Sequence, residues 1–294
     1  MRSTLRWVAG LAAVLAMTGC GSTAGGEPAR EPAGTPAETR TAGAPAPGDP
    51  AALVGLWEVT GAEGEEAGAI LRLADLRLSI WRDCGVLDGG WRADPAGLFL
   101  GGVSSWNGSC DLAPDPQPAW LARVSGYRVT GTHRLLLDAE GATVARLVPG
   151  KRPAPRNDIA DSESAPPVVT AELRAALAAP APLPAGLRAA TAAELARRWV
   201  PAAADDSDRP DAPFAQLRTD GTWTGSDGCN GTGGRWIAGA GGALLVLGGV
   251  QTAIGCDNVR VGGWLSDASR AGFAGDRLVL LDRTGAEVAR LRAG

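Results

Sequence analysis

Leu135-Leu136-Leu137-Asp138, Gly141 and Val144-Ala145-Arg146-Leu147 return near the end of the chain as Val279-Leu280-Leu281-Asp282, Gly285 and Val288-Ala289-Arg290-Leu291. Each set is an apolar run, a glycine-containing turn and a second apolar run, the pattern of a closing β-hairpin. Working outward from these hairpins, the same neighbours appear in the same order. Cys84 and Cys110 lie 26 residues apart, and Cys229 and Cys256 lie 27 apart. Trp91 follows Cys84 by seven residues and Trp236 follows Cys229 by seven; Trp57 and Trp199 precede those cysteines by 27 and 30. Trp120 and Trp264 follow the second cysteines by ten and eight. Recurrence at a fixed spacing marks a tandem duplication. The chain divides into a first repeat at 51–149, a linker at 150–190 and a second repeat at 191–294.

The duplication constrains the cysteines. Four cysteines allow three pairings, and a feature inherited by both copies must close within each. That favours Cys84–Cys110 and Cys229–Cys256, each bridge contributing about 3 to 4 kcal/mol by the loop-entropy estimate. A tetracysteine zinc site needs closely spaced cysteine pairs, and these are missing from the sequence.

Both repeats read as mainly β. In the second, residues 214–219 are strand-like, Asp220-Gly221 suits a two-residue hairpin turn, and Thr222-Trp223-Thr224 returns. Residues 235–237 and 243–247 flank the glycine-rich turn 239–242, and residues 277–282 and 287–291 form the closing hairpin. In the first, Asp94-Pro95-Ala96-Gly97 is a turn with proline at its second position. Residues 258–273 are the best helix candidate, with Trp264, Leu265, Ala268 and Ala271 as its buried stripe. Prolines 114, 116 and 118 leave the matching stretch only a short helix near 120–124. In the linker, Thr170 is placed to cap a short helix at 168–179, and Thr191 with Glu194 forms a capping box.

The N-terminus carries an address. Arg2 and Arg6 precede an apolar stretch at 7–16, a length suited to a signal peptide and too short to span a bilayer. Met17-Thr18-Gly19-Cys20 resembles the lipobox of bacterial lipoproteins. That resemblance implies cleavage after residue 19 and a thioether-linked lipid on Cys20. Residues 20–50 lack any large apolar side chain and read as a disordered tether, with a reach on the order of 30 Å. Loss of residues 1–19 removes two of the 28 basic groups and none of the 32 acidic ones, leaving a net charge of −6. Such a balance disfavours nucleic acid and anionic polymers as partners. Lys151 stands alone among the basic residues, a bias expected of GC-rich coding.

The second repeat resembles the META domain family, the type found in HslJ-like bacterial envelope lipoproteins. The residues that carry the likeness are Asp220-Gly221, Gly228-Cys229-Asn230, Gly234, Trp236 and Thr252 followed by Cys256. The first repeat departs further, with Gly85 after Cys84 where the family has Asn. The resemblance implies compact antiparallel β domains with a packed helix, an envelope location and roles in stress or antibiotic tolerance. It supplies structural residues and no catalytic ones.

Candidate chemistry is sparse. His133, the sole histidine, enters the last hairpin of the first repeat, and the second repeat has Arg277 near that place. One histidine builds neither a His-based zinc site nor a duplicated triad. Residues 225–231 (Gly-Ser-Asp-Gly-Cys-Asn-Gly) present two alternatives. Their amides cradle an anion, or they form a tight turn that places Cys229, with Asn230 tying its own backbone. Asp205, Asp206, Asp208 and Asp211 lack the glycine and glutamate of an EF-hand loop. The tryptophans recur at matched positions and read as core. These readings give a noncatalytic lipoprotein, without cofactor or metal, that binds or supports an envelope protein or a small ligand. Two rivals are a carrier with an apolar pocket in one repeat and a hydrolase using paired carboxylates.

Overall fold

The first described strand sets the pattern. In β1 (Gly55–Thr60), Trp57 and Val59 point into a core while the residues between them stay half-exposed, the period of two that a strand imposes. The structure, a computed structural model, describes residues 48–111, 116–203, 210–249, 251–252, 255 and 258–294. The expected signal peptide, Cys20 and all but the last three residues of the expected tether lie outside these. The described residues belong to one compact unit, and no helix among them is long and apolar enough to cross a membrane.

After β1 come β2 (Ile70–Ala74), β3 (Arg77–Arg82), β4 (Gly85–Ala93) and β5 (Phe99–Gly108). The short helix α1 (Ala119–Arg123) precedes β6 (Gly126–Thr130), β7 (His133–Leu137) and β8 (Thr143–Pro149). All pair antiparallel in one sheet of order β5-β4-β3-β2-β1-β8-β7-β6. The linker holds α2 (Asp161–Ser164), α3 (Ala171–Leu177) and β9 (Arg188–Ala189). The capping box then opens α4 (Ala192–Leu195), with Thr191 and Glu194 in the expected roles.

The second half runs β10 (Arg198–Pro201), β11 (Phe214–Leu217), β12 (Thr222–Ser226), β13 (Gly231–Ala238) and β14 (Leu244–Gly248). It continues with α5 (Val261–Asp267), β15 (Arg270–Ala274), β16 (Arg277–Leu281) and β17 (Glu287–Ala293). Its antiparallel sheet has the order β14-β13-β12-β11-β10-β17-β16-β15-β9. Apart from β9, that is the order of the first sheet. The registers also correspond. Trp57 faces Leu71 and Pro149, and Trp199 faces Ala215 and Ala293. Each closing hairpin is irregular at one point, between Leu136 and Leu137 and between Leu280 and Leu281. Isolated bridges join Leu98, beside edge strand β5, to Gly126 of the opposite edge strand β6, and Ala243, beside edge strand β14, to Arg270 of β15, the strand next to the short edge strand β9.

Each sheet has its own core. Leu71, Ile80, Trp91, Phe99 and Trp120 fill the first, and Trp199, Trp223, Trp236, Leu265 and Leu280 the second. In α1, Trp120 and Leu121 face inward; in α5, Val261 and Leu265 do. The linker is anchored to the first sheet, where Arg72 donates to the carbonyls of Ala165 and Ser162 at 3.0 and 3.3 Å. Thr170 caps α3 as expected, accepting from the Leu173 amide.

Three expectations need correction. The helix expected at 258–273 ends at Asp267, and Ala271 and Phe273 lie on β15 opposite Leu280 and Leu278. An Ala-rich apolar stretch satisfies a helical stripe and a buried strand equally, and the waiting edge of β16 decides between them. The Asp220-Gly221 turn is longer than two residues. Arg218 and Thr222 close it, Gly221 has φ +78°, and Asp220 accepts from the Thr222 amide and hydroxyl at 2.8 and 2.6 Å. The polar linker also contains more structure than one helix, namely α2 and β9.

The two sheets touch through a small third cluster. Leu100 of β5 meets Leu245 and Leu247 of β14, with Leu98 and Ile237 beside them. Glycines make the approach possible: a Cβ at Gly90 or Gly102 would stand 3.2 or 3.3 Å from a Leu247 methyl. Arg235 Nη2 spans the junction, donating to the Ala122 carbonyl at the end of α1 at 2.8 Å.

Candidate functional site

The turn at 225–231 is organised by a residue the sequence reading passed over. Asp227 is 2% exposed. Its Oδ1 accepts the backbone amides of Cys229 and Asn230 at 2.8 and 2.6 Å. Its Oδ2 accepts the side-chain amides of Asn230, Asn258 and Gln251 at 3.2, 2.9 and 3.3 Å. Burial pushes this carboxyl up, but the hydrogen bonds from Asn230, Cys229 and Asn258 outweigh it and hold the carboxyl below the usual carboxylate range. The amides that might have cradled an anion therefore hold one already, the chain's own. Gly228, at φ +102°, lets the loop close around it, and the Gly228 amide donates to Ser226 Oγ at 3.1 Å. Asn230 acts as a ligand of Asp227 through both its backbone and its side-chain amide.

The other motif residues do comparable work. Trp236 Nε1 donates to the carbonyls of Arg218 and Thr222 at 3.0 and 3.1 Å, clasping the turn that contains Asp220 and Gly221. Gly234 clears the path of a second indole. Trp223 Nε1 donates to the Leu247 carbonyl at 3.0 Å, and a Cβ on Gly234 would collide with that same oxygen. Thr252 donates its amide to the Gly231 carbonyl. Cys84 and Cys110 form a disulfide, with Cα atoms 4.9 Å apart. Gly85 after Cys84 is explained by its partner in the ladder: it faces Gly108, and a Cβ there would strike the Asn107 carbonyl. Cys229 is disulfide-bonded, while Cys256 lies outside the described residues, as do Cys20, Asp205, Asp206 and Asp208. Asp211 donates its amide to the Gly228 carbonyl. His133 begins β7, with a buried Nδ1 that lacks a partner among the described residues. No cluster of His, Cys, Asp and Glu is placed to hold a metal among the described residues.

The first sheet has a polar hub of its own. Glu65, in the loop after β1, takes Arg82 in two hydrogen bonds of 2.8 and 2.7 Å and the Trp120 indole at 2.7 Å. Its side chain is 2% exposed. It fixes α1 against the sheet.

One recess of about 450 Å³, bounded by Arg188, Trp199, Phe273, Arg277 and Arg292, belongs to the second sheet alone, and further space lies where the sheets meet. A cleft of about 420 Å³ is bounded by Leu76, Arg92, Leu245, Ser269, Arg283 and Val288. A second, of about 390 Å³, is bounded by Leu98, Ser125, Ala139, Gly221, Trp236 and Ile237. Each draws on both sheets. In the first, Arg92 donates to the Trp91 carbonyl at 3.0 Å, and Arg283 Nη2 is buried with no hydrogen-bond partner among the described residues. Burial, then repulsion from Arg283, lowers the pKa of Arg92. Burial lowers that of Arg283 too, with Asp94 opposing. The carboxylates of this cleft are engaged elsewhere. Asp282 Oδ1 accepts the Thr284 and Ala286 amides at 2.8 and 3.0 Å, and Asp267 pairs with Arg260. Leu76 is one of two non-glycine residues with positive φ among those described, at +62° beside Asp75 at +47°. It occupies the second position of a two-residue hairpin turn that normally takes glycine.

The sequence reading missed both clefts because each is lined by residues of both halves of the chain. One signal was available. Arg92 follows Trp91 where Ile237 follows Trp236, and Arg283 follows Asp282 where Ala139 follows Asp138. The two matched stretches differ in charge at both places.

Comparison with protein families, curated proteins and solved structures finds no match to the chain.

Proposed function

We propose that this chain is a noncatalytic envelope lipoprotein, anchored through Cys20 and built from two META-like repeats, that binds a ligand at the junction between them. The shared strand order, the matched registers of Trp57 and Trp199 and the matched hairpin irregularities support a duplicated unit. The Leu98–Gly126 and Ala243–Arg270 bridges support a sheet curled almost into a barrel in each repeat. The lipid anchor and an extracytoplasmic location rest on the lipobox likeness, and a role in stress or antibiotic tolerance rests on the META likeness.

One observation carries the binding reading. The polar motif residues are spent on internal hydrogen bonds, as Asp227 shows, while the two junction clefts fall in the size range of small-molecule sites. The carrier alternative thus moves from inside a repeat to the seam between repeats, because indoles fill both cores: Trp91, Trp120, Trp199 and Trp223 are all but inaccessible. The test has two parts. Purified protein should stay inert against esterase, peptidase and glycosidase substrates, and turnover abolished by one carboxylate or serine substitution would defeat the reading. Cys20→Ala should release the protein from membranes, and full retention would remove the anchor.

A further inference from the structure

We propose that the cleft around Arg92 and Arg283 receives the oxyanion head of a small amphipathic molecule, whose apolar body lies against Leu76, Leu245 and Val288. This rests on the reading of the junction as the binding region and adds the class of ligand.

Four observations converge. Arg283 Nη2 is a buried donor without a partner among the described residues. Leaving a charged donor unpaired in the interior is costly, and an oxyanion supplies the missing acceptor in the bidentate geometry that guanidinium favours. Arg92 faces the same cleft, and among the described residues its one side-chain hydrogen bond goes to the neighbouring Trp91 carbonyl. Two desolvated cations within mutual repulsion are a poor arrangement until an anion lies between them. Of the acids nearby, Asp282 is held by its own turn and Asp267 by Arg260; buried Asp94 attracts Arg283 through space but accepts the Leu98 amide at 3.0 Å and makes no direct contact with either guanidinium. Finally, Leu76 holds a strained left-handed conformation where it lines the cleft, and such outliers concentrate at functional positions.

The second cleft is an internal control. By the repeat correspondence, Gly221, Ile237, Ser125 and Ala139 stand there where Leu76, Arg92, Ser269 and Arg283 stand in the first. The junction thus has two related recesses, and only one carries the guanidinium pair. Shared packing needs do not explain charge on one side alone.

The experiment is calorimetric titration of the full mature chain, with Cys20→Ala to keep lipid and detergent out of the assay. The probes are octanoate, octyl phosphate, inorganic phosphate, octanol and octylammonium. Octanoate or octyl phosphate should bind saturably, well ahead of inorganic phosphate and of the neutral and cationic probes. Whichever head group binds more tightly separates a carboxylate from a phosphate ligand. Arg92→Gln and Arg283→Gln should each weaken binding by roughly tenfold or more, and Arg128→Gln, at an exposed arginine of β6 away from the cleft, should leave it unchanged. Equal binding of octanol and octanoate, or wild-type affinity in both arginine variants, overturns the proposal. Thermal denaturation gives an independent readout. Arg283→Met should raise the midpoint of the free protein and abolish the upward shift that octanoate gives the wild type. A lowered midpoint with the shift retained contradicts the proposal. If octanoate fails to bind while the protein stays membrane-retained and inert, this inference falls and the proposed function stands.

Discussion

Trp57 and Trp199 occupy the same place in the two sheets: each indole donates its N–H to the carbonyl four residues earlier, Leu53 at 2.7 Å and Leu195 at 2.9 Å. The segments supplying those carbonyls differ. One is a 3-10 turn at Pro50–Leu53 and the other is α4 with its capping box. Different local sequences have kept one tertiary bond, because a buried indole N–H and a turn-end carbonyl each need a partner.

That equivalence is testable by parallel substitution. Trp57→Phe and Trp199→Phe should each cost about 1 to 3 kcal/mol, through a carbonyl left without its donor and a smaller ring. Urea denaturation checks this. A clear loss in one variant and none in the other would break the correspondence.

Asp227 should set the acid limb of the stability curve. Its carboxyl lies below the usual range in the folded state, and the unfolded value is about 3.9. The contribution is therefore present above the unfolded value and lost as pH falls through the folded one. Denaturation of the wild type should show a loss of stability below about pH 4. Asp227→Asn should be weaker at pH 7 by about 2 to 3 kcal/mol, since its NH2 faces donors, and should lack part of that acid dependence. An unchanged midpoint at pH 7 would remove Asp227 from its role as hub.

Gly234→Ala should cost about 3 kcal/mol, because the added methyl meets the Leu247 carbonyl and the Trp223 indole together. Near-UV circular dichroism should report displaced tryptophan alongside the lowered midpoint. A wild-type spectrum and midpoint would mean that the two strands part without penalty.

Leu76→Gly separates strain from packing. Truncating a half-buried leucine ordinarily costs about 1 to 2 kcal/mol. Here relief of the left-handed conformation, worth about 1 to 3 kcal/mol, should leave stability within about 0.5 kcal/mol of wild type or above it. Octanoate affinity should fall, as an apolar wall is removed. A stability loss above about 2 kcal/mol would show that the turn carries no strain.

The legible parts of this fold are those written locally. The closing hairpins, the Asp94–Gly97 turn, the Thr170 cap and the Thr191–Glu194 capping box all follow from residues within a few positions of one another. The Cys84–Cys110 bridge was legible because the matched spacing of the two cysteine pairs favoured pairing each cysteine with its neighbour 26 or 27 residues on. What escaped depends on distant partners. Residues 270–274 became β15 because the edge of β16 was available. Arg188-Ala189 became a strand by adding to β15. Asp227 looked like one residue of a glycine-rich turn, and its donors Gln251 and Asn258 come from another loop. Arg92 and Arg283 are far apart in sequence and meet only once the sheets dock.

The duplicated, self-contained unit is the claim on which the rest depends, and the partner of Cys229 tests it most directly. Non-reducing digestion of the mature protein with mass mapping should recover Cys229 joined to Cys256, with Cys84 joined to Cys110. A linkage from Cys229 to any cysteine outside the second repeat would contradict the duplication.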